Sequence, residues 1–75
     1  MTFEEFCNKV MAVYSNPKNL NLRYGQTTFN VLADERPDLA EKIRGTELDP
    51  FYTIDSDRIA NFYNWLQENW NQEQP

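Results

Sequence analysis

Apolar residues at Phe3, Phe6, Cys7, Val10, Met11 and Tyr14 recur at i, i+3, i+4 and i+7, the stripe of an amphipathic helix. Thr2 and Glu5 form a Thr-x-x-Glu capping box at its start, and "SNP" at 15–17 stops it because Pro17 disfavours helical geometry in Asn16. The pattern predicts a first helix over 3–15. A link follows in which Leu20 and Leu22 are expected to tuck under the fold. A second helix is predicted over 24–35, with Tyr24, Thr28, Phe29, Val31 and Leu32 inward. Pro37 suits the first position of a third helix, where its missing amide costs nothing. That helix is predicted over 37–44, with Leu39, Ala40 and Ile43 inward and Gly45 as a left-handed cap. The last helix is predicted over 56–70, capped by Asp55 and stapled by Ile54 against Ile59. Its stripe is Ile59, Phe62, Tyr63, Leu66 and Trp70. No stretch alternates like a strand. The expected fold class is all-α, a compact four-helix domain of residues 1–70 with a frayed tail at 71–75.

Seventy-five residues make one domain near the lower size limit for folding without disulfides or metal, so each large apolar residue counts. One cysteine and no histidine exclude an internal disulfide framework and leave no zinc or haem ligand set. No cofactor is expected. No apolar run reaches the roughly 20 residues of a membrane span, and the acidic start is unlike a signal peptide. The expected location is cytoplasmic.

The net charge of −5 is unevenly placed. Residues 1–46 hold six acids and six bases, whereas residues 47–75 hold six acids against Arg58 alone. Direct nucleic-acid binding is disfavoured, since phosphate neutralisation needs clustered Lys and Arg. Catalysis is disfavoured too. Cys7 lies on an apolar stripe, and Asp55 and Asp57 flank a helix start where acids serve as caps. Asp55-Ser-Asp57 lacks the glycine and glutamate that would continue a calcium loop.

The stretch "RGTELDPFY" at 44–52 reads as a connector, yet it ends in two adjacent aromatics. Either Phe51 and Tyr52 close the core or they are offered to a partner. A charge-assisted contact between Arg44 and Asp49 would fold Phe51 back as a clasp, with Tyr52 nearer the rim. On the last helix, Trp65 lies off the apolar stripe. An indole beside Glu68, with Tyr52 near it, is the expected partner-binding face.

"RYGQTTFNVLADERPDLAEKIRGTELDPFY" carries the elements R-Y-G-Q-x-x-F-N-x-L, R-P-D-L and I-R-G-T-x-x-D-P-F. These span Arg23 to Leu32, Arg36 to Leu39 and Ile43 to Phe51. The string resembles a family of small uncharacterised proteins of bacteria and their phages, over about residues 23–70. The resemblance implies that 23–52 is one structural unit and points toward a phage origin. It brings no activity with it. The expected function is a protein–protein interaction module, a phage or prophage accessory factor that binds and modulates a bacterial protein. An acidic nucleic-acid mimic and a structural subunit of a virion or complex are the alternatives.

Overall fold

Three of the four helices begin where a side chain accepts from an amide near the start, and the third begins at a proline that has no amide to satisfy. In the computed structural model, which describes residues 1–16 and 23–71, α1 spans Phe3–Tyr14, α2 Tyr24–Glu35, α3 Pro37–Ile43 and α4 Ser56–Asn69. Thr2 and Glu5 form the reciprocal box at α1, with bonds of 2.8 and 3.1 Å. At α2 only half a box exists: Gln26 Oε1 accepts from the Arg23 amide at 3.0 Å, and arginine has no acceptor to return it. Pro37 opens α3, and the Asp55 carboxylate accepts from the Asp57 amide at 2.8 Å to open α4. The fold is all-α, with no strand among the described residues. The expected place of Leu20 and Leu22, and of the tail beyond Asn71, lies outside the described residues.

All four helices feed one core. Phe6 and Val10 come from α1, Phe29, Val31 and Leu32 from α2, Leu39, Ala40 and Ile43 from α3, and Phe62 and Leu66 from α4. Trp70 joins them just past α4, 5.2 Å from the Phe6 ring and 5.8 Å from Phe3. The helices α1 and α2 run antiparallel, since Tyr14 meets Tyr24 edge-on at one end and Lys9 pairs with Glu35 at the other.

Several expected inward positions are corrected. Met11 and Tyr14 are exposed, because the fold covers only the Phe6–Val10 line of α1 completely and leaves Phe3 and Cys7 half-buried. The Ile54–Ile59 staple does not form: Ile54 is 81% exposed. Extended backbone sends successive side chains to opposite sides, and here Thr53 takes the inward one. Its hydroxyl accepts from the Asp55 amide at 3.0 Å.

Arg36 links α2 to α3 and is only 6% exposed. Its Nε and Nη2 hold both oxygens of Asp38 at 3.0 and 2.8 Å, while Nη1 donates to the Trp70 carbonyl at 2.6 Å. The guanidinium also lies 5.0 Å from the centre of the Trp70 ring. One side chain thus ties the middle of the chain to the end of α4. The hydrogen bonds from Arg36 lower the Asp38 pKa below the usual carboxylate value. A carboxyl depressed in the folded state stabilises above its unfolded pKa, about 3.9, and loses that contribution as pH falls through the folded value. The urea midpoint of Asp38→Asn should therefore lie below wild type at pH 7, and the gap should shrink below about pH 4.

Candidate interaction surfaces

The connector between α3 and α4 is held by its own short-range bonds. Gly45, at φ 76°, takes the left-handed turn that ends α3. The Thr46 hydroxyl donates to the Ile43 carbonyl at 2.7 Å and accepts from the Leu48 amide at 3.2 Å. One oxygen of Asp49 accepts from the Gly45 amide at 2.8 Å, and the other from the Phe51 amide at 2.9 Å. From α4, Arg58 donates through Nε and Nη2 to the Glu47 carbonyl at 3.3 and 3.2 Å. The lone base of the acidic C-terminal part is therefore used to fasten the connector.

Beneath the connector, Pro50 is fully buried against Gly25. A Cβ built on Gly25 would overlap the Pro50 carbonyl oxygen and sit 3.1 Å from the Thr53 carbonyl oxygen. The second glycine is thus required for close backbone approach, with the start of α2 forming the floor under residues 50–53.

The expected Arg44–Asp49 contact is absent. Asp49 has two backbone amides nearer to hand. Arg44 instead meets Glu41 one turn back on α3, at 2.9 Å, and lies 5.2 Å from the centre of the Phe29 ring. The contacts that hold the end of the connector come instead from Asp49, Pro50 and Phe51. Phe51 is half-buried and packs edge-on against Phe29, with centroids 6.0 Å apart at 89°. Tyr52 turns the other way and is 85% exposed, touching only Phe51 among the rings at 4.8 Å. The two adjacent aromatics have opposite roles.

Beside them is a recess of about 390 Å³, walled by Phe29, Ala33, Phe51 and Tyr52 and bounded by Asn30 and Arg44. Asn30 is exposed there, whereas Gln26 is occupied by the Arg23 amide.

Trp65 differs from its expected place. It is half-buried and packs on the core cluster, so it has a core position after all. Its indole N–H makes no hydrogen bond among the described residues, unlike that of Trp70, which donates to the Met1 carbonyl at 3.0 Å. Helical spacing aligns Trp65 with Arg58 and Asn61, which line a separate recess with Glu47 and Leu48. Glu68 is exposed one turn further along. Among the described residues no ring contact or hydrogen bond joins Tyr52 to Trp65.

Reactive chemistry is sparse. Cys7 is half-buried, and burial pushes its thiol pKa up, away from the nucleophilic thiolate. Burial also raises the pKa of Tyr63, whose hydroxyl lies 2.5 Å from that of Tyr24. Among the described residues no group of three or more His, Cys, Asp or Glu is placed to hold a metal ion, and no helix is long and apolar enough to cross a membrane. No known family, curated protein or solved structure matches the chain.

Proposed function

We propose that this protein is a small interaction module that docks onto a bacterial protein through the outer edge of its connector. The observation carrying this reading is the pair Tyr52 and Ile54, 85% and 81% exposed, on a backbone tied down by Asp49, Thr46 and Arg58. Large apolar side chains held out by an ordered backbone have already incurred part of the ordering cost of binding. Tyrosine is also among the residues that dominate interface energetics. Glu47, Asp55 and Asp57 are exposed around the pair, so the matching surface is an apolar pocket rimmed by Lys or Arg. Trp65, half-buried on α4, serves as a secondary contact beside Glu68. A phage or prophage accessory factor that modulates its host is the biological role compatible with this chemistry and with the resemblance of residues 23–70.

The test is capture from bacterial lysate with wild-type bait and with a Tyr52→Ala/Ile54→Ser bait, at two salt concentrations. The expected result is a specific protein retained by wild type, lost from the variant and weakened as salt rises. Truncating a hot-spot residue costs about 2 kcal/mol, or roughly 30-fold in affinity. A nucleic-acid-binding protein captured equally by both baits would favour acidic mimicry and reject the connector edge.

A further inference from the structure

Away from the connector, a recess of about 340 Å³ lies between α1 and α4. Its apolar walls are Phe3, Cys7 and Met11 from α1, Tyr63 from α4 and Tyr24 from the start of α2. Met11 is 56% exposed and the other four are half-buried, so the fold leaves this lining open to solvent. Acids flank it. Glu4 and Glu68 directly follow the lining residues Phe3 and Gln67, and Asp57 lies two turns before Asn64 on α4. All three are exposed. Burial raises the Cys7 pKa and the charge of Glu4 adds to the rise, which places that carboxylate beside the recess. Among bases, only Arg23 adjoins a lining residue in the chain, and Lys9 is engaged by Glu35 on α2.

We propose that this recess seats a basic amphipathic helix of another protein, with apolar residues at i, i+3 or i+4 and i+7 pointing in and Lys or Arg along its flanks. Charge selects the sign of the occupant. Lys and Arg meet Glu4, Asp57 and Glu68 favourably, whereas an acidic segment, or a second copy of a chain of net charge −5, is repelled. The scarcity of backbone partners selects its conformation. An extended segment must find hydrogen bonds for its amides and carbonyls. Among the described residues there is no strand edge to supply them, and the Tyr24 and Tyr63 hydroxyls already bond each other at 2.5 Å. A helix satisfies its own backbone. Phe3, Cys7 and Met11 succeed one another at one-turn intervals, so about two turns of a partner helix fit against α1 and α4. Methionine suits such a wall, since its three torsions adapt to the side chains laid against it. This surface is separate from the connector edge and does not rest on the function proposed for that edge.

Cys7 makes the occupancy measurable, because the single thiol of the chain lines the recess. The probe is a synthetic amphipathic helix of about 14 residues built from Leu and Lys. The readout is the rate at which iodoacetamide alkylates Cys7 in the full chain. Saturating probe should slow alkylation about tenfold or more, since access governs thiol reactivity. The protection should weaken as salt rises. A Leu/Glu helix of the same pattern should not protect, nor should a Leu/Lys peptide with internal prolines, which break the helix. Glu4→Gln/Glu68→Gln should weaken the affinity for the probe about threefold or more, with the fold retained by circular dichroism. If that variant fails to fold, the comparison of peptides on wild type decides. Tyr52→Ala/Ile54→Ser should be protected like wild type, so that failure here leaves the connector edge standing. Alkylation unchanged by the Leu/Lys helix overturns the proposal. Equal protection by the Leu/Glu or proline peptide overturns it as well, as does affinity unmoved in a folded Glu4→Gln/Glu68→Gln variant. Protection lost in the connector variant would move the helix to the connector and also overturn it.

Discussion

Gly25→Ala is expected to destabilise the protein by about 3 kcal/mol, the upper end of the usual cost of overpacking. The cost is high because the obstacle is backbone. The new methyl would overlap the carbonyl oxygen of Pro50, a buried residue, with the Thr53 carbonyl oxygen only 3.1 Å away. A flexible side chain could swing aside, but these carbonyls can retreat only if the connector lifts from α2. A 75-residue domain typically has about 4–11 kcal/mol in all, so the loss should lower the melting temperature by more than about 10 °C. Gly45→Ala provides the contrast. Nothing lies near its added Cβ, and only the left-handed φ of 76° is strained, so about 1 kcal/mol is expected. Equal melting of the two variants would mean that the connector is not seated on α2.

Arg36→Met is expected to cost about 2–4 kcal/mol, even though methionine retains much of the apolar stem. It leaves the Trp70 carbonyl without its 2.6 Å donor and removes the guanidinium from the Trp70 ring. It also leaves the partly buried Asp38 carboxylate without its bidentate partner. Arg36→Lys should recover only part of the loss, because one ammonium cannot hold Asp38 in a fork and reach the Trp70 carbonyl as well. Denaturant unfolding followed by tryptophan fluorescence would measure this, since the ring reports its own environment. A lysine variant as stable as wild type would reduce Arg36 to a simple charge.

The helices were legible because their signals are local. Thr2 and Glu5, Pro37, Gly45 and Asp55 each act within a few residues, and each occupies its expected place at a helix end. The inward face of α3 was equally plain. The close approach of Gly25 to Pro50 joins residues far apart in the chain, and no local signal announces it. What escaped depends on contacts distant in sequence. No periodicity says that Met11 and Tyr14 remain open while Phe6 and Val10 are covered. Thr27 is not among the inward residues expected of α2, yet it is buried, with no hydrogen bond to its hydroxyl among the described residues. Arg44 and Asp49 were paired on charge alone, whereas nearby amides and Glu41 offered shorter routes. The candidate site was half visible. An aromatic pair ending a polar connector drew notice, but the prominence of Ile54 follows from Thr53 turning inward, which no pattern at 53–55 announces.

Phe51 and Tyr52 have opposite roles on an ordered connector, and thermal unfolding of the two alanine variants tests this most directly. Phe51→Ala should cost about 2–3 kcal/mol, less than a fully buried phenylalanine because the ring is half-buried. Tyr52→Ala should cost under about 1 kcal/mol, essentially its edge contact with Phe51. Equal losses, or a larger loss for Tyr52→Ala, would contradict the account, for Tyr52 would then belong to the core and the connector would offer no aromatic edge to a partner.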